Sequence, residues 1–488
     1  MRKTIINSLA AVALSVTMVS CGDSWLETDL PNGVDTETAL NNVDNIGYAL
    51  NGTYYQLMRY YFAGNYASTI GDLASDLVYW SRSNGHQTEL YQFTYTDTDN
   101  SIYYIWDYGY KVVDAAARVI QATEALLPEV SGDDAEYLKL YEAEARCLRA
   151  YANLVMVNIY CHQAKVAGQD FTSMPGLVLV EEPIEAYADV ERASIGQTYS
   201  FIIGDLQKAV SLFSQVGDRG DLNYFGQASA YGLLARANVY MENWGEAASA
   251  AKNALSISGI DELAYTPAAY KALYNNASSN WESMFALAID NLTNWSANSC
   301  GTLFTTYGYS SSPYLQSLYG NDDCRLSIIY FTGAGYNNDF SGGKFGYYGG
   351  SNPALATNYL VNAPEMYLIE AEAYANQSQI AQAQEALLVV AMRNPEITST
   401  DDLPATKDGI LSFLRDERAR ELFQEGLRLW DLRRWGGTVN LYATGAPDIN
   451  WVINNADITN QVFPIPADEI NAGFGVAQNE GWSSNRPR

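Results

Sequence analysis

Apolar residues recur at three- and four-residue spacing through long stretches of the chain, and this period predicts helices over 36–61, 102–127, 134–161 and 194–213. Two further stretches read as helical hairpins. Residues 226–241 and 244–257 are separated only by Glu242 and Asn243, and 363–392 repeats the arrangement. Tyr231, Leu234, Ala235, Ala247 and Ala254 in the first hairpin fall at the large and small packing positions of a tetratricopeptide-type pair, as do Tyr367, Ala371, Tyr374 and Ala383 in the second. Small residues let paired helices approach, and aromatics fill the space between pairs. About four such pairs are expected along one side of the protein.

The helical period lapses in two places. Over 72–98 there are period-two patches, clearest at Leu90 to Tyr95 and broken at 81–85, which predict short strands or loops. Over 259–362 the period is lost altogether, and 301–350 holds ten glycines and eight tyrosines, with Pro313 and Pro353 nearby. Glycine costs backbone entropy to order, so such a stretch is ordered only against a scaffold. An aromatic, glycine-rich insertion between helical pairs is where a recognition surface would sit; the alternative is a tyrosine-rich cap on the helical layer.

Residues 408–437 predict one long helix, with Ile410, Leu414, Phe423, Leu427, Trp430 and Leu432 along a buried stripe. Six arginines and five acids fall between Arg415 and Trp435. Helical spacing would pair Asp416 with Arg420, Arg418 with Glu421, Glu425 with Arg428 and Arg428 with Asp431, each worth a few tenths of a kcal/mol on an exposed face. Trp430 and Trp435 flanking Arg433 and Arg434 point instead to guanidinium groups laid on rings and a helix fixed against neighbours.

This segment carries a resemblance. ERARELFQEGLRLWDLRRWG (417–436) resembles the C-terminal signature of the SusD/RagB-like lipoproteins, nutrient-binding partners of TonB-dependent transporters, through Arg418, Glu421, Glu425, Gly426, Arg428, Asp431, Leu432, Arg434, Trp435 and Gly436. Leu429 and Trp430 stand where that family usually has Trp followed by an aromatic. EAEARCLRAYANLVMVNIY (142–160) is similar to a conserved helix of the family, and 463–471 with 478–482 to its closing segment. The resemblance implies a mainly α fold of divergent tetratricopeptide-type repeats with a loop-rich, short-strand insertion. It places repeats at about 35–258 and 363–436, a ligand-face insertion at about 259–362 and a C-terminal segment at 437–488, interlocked as one unit over 35–488.

Composition narrows the function. A formal charge of −28 over 488 residues argues against nucleic acid, whose phosphates reward basic clusters. Arg2 and Lys3, an apolar run from Ile5 to Val19 and small Ser20 before Cys21 read as a lipoprotein signal peptide over 1–20, with Cys21 the lipidated residue and 21–34 a tether to the outer membrane. Cys147 and Cys161 lie about 21 Å apart along one predicted helix and cannot bridge while it is straight. For Cys300 and Cys324, in loop-rich sequence, a disulfide is open.

The chain has two histidines, His86 and His162, and no nucleophile elbow, zinc-protease motif or phosphate-binding glycine loop. No cofactor or metal is expected. The family resemblance implies capture of an oligosaccharide or polysaccharide by ring stacking and polar contacts, without catalysis, and delivery to a SusC-like TonB-dependent transporter. A glycan-active hydrolase needs only two carboxylates and stays an alternative, as does peptide binding, which some family members show. Two loops fit by region and chemistry: 78–84, with Tyr79, Trp80, Arg82 and Asn84, and 291–309, with Asn294, Trp295, Tyr307 and Tyr309. Rings take the apolar C–H faces of sugars, and planar polar groups take their hydroxyls.

Overall fold

The computed structural model describes residues 39–80, 85–329, 340–443, 446–453 and 462–482, with backbone alone for 441–443 and 446–453. The expected signal peptide, Cys21, the tether, Arg82 and Asn84 lie outside the described residues. The longer helices are α1 (Val43–Met58), α2 (Tyr66–Leu73), α3 (Asn100–Leu126), α4 (Asp133–Tyr160), α5 (Ile195–Val216), α6 (Gln227–Tyr240), α7 (Trp244–Ser258), α8 (Ala363–Asn376), α9 (Ile380–Ala391), α10 (Lys407–Glu421) and α11 (Arg428–Arg434). Their starts follow from capping: the Asn42 side chain accepts the Asn45 amide before α1, Ser194 and Gln197 form a capping box at α5, and Thr406 caps α10.

These helices form a layer in which each packs on the next. α1 lies on α3 and α4; then α4, α5, α6, α7 and α8 follow as successive neighbours, and α8 meets α9 and α10. The hairpins α6/α7 and α8/α9 stand within a residue or two of their expected places. Ala247, Ala251 and Ala254 on α7 and Ala371, Ala375 and Ala383 on the second hairpin are fully buried, so backbones come close where the sequence has small residues. The fold is mainly α with repeat-type helix pairs and a few short strands.

Of the short strands or loops expected over 72–98, Val78–Trp80 is a strand, while Leu90 to Tyr95 begins in a short helix, Thr88–Tyr91, and runs on through a turn with Phe93 at φ 52. Alternating burial fits four residues of either structure, which is why the period misleads there. The longer strands are β1 (Val78–Trp80), β2 (Ser283–Leu287), β3 (Tyr309–Ser311), β4 (Asn358–Asn362), β5 (Val439–Ala443) and β6 (Ala446–Ile453). β1 pairs antiparallel with β3, in register Tyr79 to Ser310, and parallel with β5, and β2 pairs with β4. Cys300 and Cys324 are buried free thiols, donating weakly to Gly64 O and Ala264 O; no disulfide joins them.

The single helix expected over 408–437 is two helices. After α10 the chain turns through Gln424 at φ 68 and Gly426 at φ 72 before α11 begins. The expected neighbour pairs give way to buried partners from elsewhere. Arg418 binds Asp431 at 2.7 Å, Arg434 binds Glu372 at 2.5 and 2.7 Å, and Arg428 binds Asp76 at 2.8 and 3.0 Å. Glu421 takes Arg393 at 2.9 Å and Arg325 at 3.0 Å. The turn folds α11 back so that charges read as one surface stripe meet across the core. The tryptophans act as expected: Arg434 lies 4.7 Å from the Trp435 ring centre and Arg433 lies 5.5 Å from that of Trp430.

The glycine-rich insertion docks on this turn. Gln424 Oε1 accepts the Lys344 amide at 2.7 Å, and the Lys344 ammonium reaches Glu421 O and Glu425 Oε1. A Cβ at Gly343 would meet Gln424 Oε1 at 2.1 Å, so the close approach excludes a side chain there.

Candidate functional site

At the end of α1 the chain turns tightly, with the amides of Phe62 and Gly64 both donating to Arg59 O at 2.8 and 3.0 Å. The turn buries Phe62 and Ala63 and leaves Tyr60 and Tyr61 at the surface. Tyr104 and Tyr108, one turn apart on α3, come up beside them. Ring centres lie 3.9 Å apart for Tyr60 and Tyr61, 4.2 Å for Tyr61 and Tyr104, and 4.8 Å for Tyr61 and Tyr108.

Trp295 closes the group from the insertion. Its indole N–H donates to Met58 O at 2.9 Å, satisfying a carbonyl at the end of α1, and its ring lies 5.9 Å from Tyr60 and 6.4 Å from Tyr55. The Arg59 guanidinium sits among the rings, 5.0 Å from Trp295, 5.5 Å from Tyr55, 5.7 Å from Tyr61 and 5.8 Å from Tyr108. Its Nη1 donates to the Tyr55 hydroxyl at 2.8 Å. Tyr55 is 46% exposed and the other rings are half-buried, so a contiguous aromatic surface faces solvent. Burial, with Tyr61 beside it, pushes the Tyr60 phenol up, and it stays a neutral hydrogen-bonding group.

A second locus adjoins it. The exposed His86 ring stacks on Tyr307 with centres 3.8 Å apart and planes at 8°. Buried Asn65 ties the two together: its Nδ2 donates to Asn298 O at 2.7 Å, and its Oδ1 accepts from Gln87 Nε2 at 3.1 Å.

The expected ligand residues divide. Trp295 joins the aromatic surface and Tyr307 the second locus. Asn294 is committed to its own loop, where Nδ2 donates to Asp290 O and Asn291 O and Oδ1 accepts the Ser296 amide. Tyr79 and Tyr309 are fully buried and Trp80 is 8% exposed, in the strand pair β1/β3. Burial removes their ring faces from any ligand, which corrects the expectation for these three. Sequence reasoning did not single out Tyr55, Arg59, Tyr60, Tyr61, Tyr104 and Tyr108. The available signal was the pair of tyrosine doublets, 60–61 and 103–104, each at the end of a predicted helix.

The two acids pushed furthest upward lie away from this surface. Burial pushes Asp72 and Glu144 up to about 7. Both are fully buried, Glu144 between Arg219 and the Tyr54 hydroxyl, and act in packing.

Residues 23–241 match the family described as starch-binding, associating with the outer membrane, and residues 363–482 match the SusD family. Solved structures agree on the fold. A putative sugar binding protein from Bacteroides vulgatus superposes with a TM-score of 0.80 at 23% identity, over 91% of this chain and 100% of that one. A SusD superfamily protein from Bacteroides thetaiotaomicron gives 0.79 at 20% identity, over 92% and 100%. A SusD-like carbohydrate binding protein from Bacteroides vulgatus gives 0.68 at 19%, over 82% and 85%. No curated protein matches the chain. The helical layer with its short-strand, loop-rich face is thus the SusD-type architecture. The chain belongs to the SusD/RagB-like family, which is described as starch- and sugar-binding and associated with the outer membrane. Among the described residues no helix is long and apolar enough to cross a membrane.

Proposed function

We propose that this protein is a cell-surface lipoprotein, anchored through Cys21, that captures oligosaccharides without turnover and passes them to a SusC-like TonB-dependent transporter. The capture surface is the aromatic group around Trp295. The observation that carries this reading is the continuity of the rings: Tyr55, Trp295, Tyr60, Tyr61, Tyr104 and Tyr108 form an unbroken, partly exposed series. Sugar C–H faces stack on such rings, while phenol hydroxyls and the guanidinium meet sugar hydroxyls. A few platforms of this kind, less the cost of ordering a flexible glycan, give micromolar to millimolar affinity, weak enough for hand-over.

The test is calorimetry of the purified protein against a panel of oligosaccharides, with chromatography of the mixture afterwards. Binding with the saccharide recovered intact supports the reading. Shortened products would favour a hydrolase, and binding of peptides alone would favour the peptide-binding kind of family member. For the anchor, Cys21→Ala should release the protein from membranes, and co-purification with a barrel transporter in mild detergent tests the partner.

A further inference from the structure

Acids outnumber basic residues by 56 to 28 in this chain, and most arginines in the structure accordingly find carboxylates. Arg149 binds Asp205, Arg236 binds Glu365 and Arg428 binds Asp76. Arg433, without a carboxylate, donates to the carbonyls of Asn158 and Cys161. Arg59 does neither. Among the described residues it makes no ion pair, and its hydrogen bond goes to a phenol, that of Tyr55. Four rings surround the guanidinium, and two acids on flanking helices are engaged elsewhere. Asp107 is paired with Lys111 at 2.7 Å, and Glu89 accepts from Ser101 Oγ at 3.2 Å. A half-buried cation thus sits within an aromatic surface with no carboxylate paired to it among the described residues.

We propose that the surface selects anionic saccharides: a sugar ring stacks on Tyr61 or Trp295 while its carboxylate or sulfate pairs with Arg59. This rests on the glycan-capture reading above and adds the ligand's charge. A guanidinium fork suits both anions, and because rings already restrain it, little side-chain entropy is lost on pairing. The overall charge of −28 does not oppose this at contact. At physiological salt, charges beyond about 8 Å are largely screened, and the preference arises from the group at the ring.

The experiment is calorimetry at physiological salt with two matched pairs of probes. One is oligogalacturonate against its carboxyl-reduced, neutral counterpart; the other is a carrageenan oligosaccharide against its desulfated counterpart. The expected result is that one charged probe binds at least about tenfold more tightly than its neutral twin, the pair in question telling uronate from sulfate. Arg59→Met, which keeps the stem and loses the charge, should erase that difference, weakening the charged probe by about tenfold or more and the neutral probe, which loses only a hydroxyl contact, by much less. Arg59→Lys should keep part of it, and melting curves check that the variants fold. Equal binding of charged and neutral probes overturns the charge preference and leaves glycan capture standing. Arg59→Met weakening both members of a pair alike also overturns it, assigning Arg59 to ring packing. No binding by any of the four, together with none across the neutral panel, rejects the capture reading itself.

Discussion

The Gly426 amide donates to Asp72 Oδ2 at 3.0 Å, joining positions 354 residues apart. Around this bond the backbones of α2 and the turn before α11 touch: a Cβ at Gly71 would lie 2.0 Å from Gly426 O, and one at Gly426 would lie 2.3 Å from Ser68 O. Helix α2 and the turn before α11 are thereby locked together by direct backbone contact and one buried carboxylate. The aromatic surface is built on the segment just before α2.

Gly426→Ala therefore combines two penalties, a left-handed backbone at φ 72 and an overlap with a carbonyl that the helix α2 holds in place. The expected loss is about 3 kcal/mol or more, read from urea unfolding. Gly52→Ala is the control. It lies in α1 with nothing within 4 Å of an added Cβ, and should gain up to about 1 kcal/mol.

Burial pushes the Asp72 carboxyl up to about 7, Glu425 nearby adding to the effect and the Gly426 amide opposing it. Unfolded, this carboxyl titrates near 4. Between about pH 4 and 7 the folded protein binds a proton that the unfolded chain does not. Stability present below pH 4 is therefore lost as pH rises through about 7. Asp72→Asn keeps an acceptor for Gly426 and cannot ionise, so its stability should lack this decline. The difference between variant and wild type should grow by on the order of 2–4 kcal/mol from pH 4 to 8. Parallel stability–pH curves would show that Asp72 does not titrate in this window.

Glu421 joins Arg325 and Arg393, all three fully or almost fully buried, and Arg393 reaches on to Glu282 at 2.5 Å. Glu421→Ala removes three charge-assisted hydrogen bonds and opens a gap between two buried guanidinium groups; Arg325 keeps Asp323 and Glu417 and Arg393 keeps Glu282, so the expected loss is about 3 kcal/mol. Arg420→Ala removes a partly exposed partner of Glu417, which retains Arg325 at 2.6 Å, and should cost much less. Equal losses in the two variants would contradict this ordering.

The helices were legible because each buries one stripe, and the period of Ala247, Ala251 and Ala254 survives in any context. The turn at Gly426 was not legible: Leu422, Phe423, Leu427 and Trp430 keep helical spacing across it, and only the left-handed glycine interrupts the run. The charge partners were misread for the same reason, since Arg428 finds Asp76 and Arg434 finds Glu372 only once α11 folds back. At the surface, the exposure of a given aromatic residue was not legible. Trp295 and Trp80 are alike as aromatic residues in loop-rich sequence, yet the strand pair β1/β3 buries one and the end of α1 presents the other. The tyrosine doublets became a surface because the turn after α1 points Phe62 inward and its two predecessors outward.

The contrast between those two tryptophans gives the last prediction. A sugar face stacked on one ring contributes about 1–2 kcal/mol of apolar burial. Trp295→Ala and Tyr61→Ala should each weaken oligosaccharide binding about tenfold. Trp295 also donates to Met58 O, so its variant should lose about 1 kcal/mol of stability. Tyr61→Ala carries no such hydrogen bond and should melt close to wild type. Trp80→Ala empties a core site beside Tyr91, 5.6 Å away, and should lower stability by about 3–5 kcal/mol while leaving affinity unchanged below its melting point. Calorimetry with a melting curve for each variant separates the two effects. Affinity lost in Trp80→Ala and kept in both surface variants would move the site off the Trp295 surface and toward the strand pair.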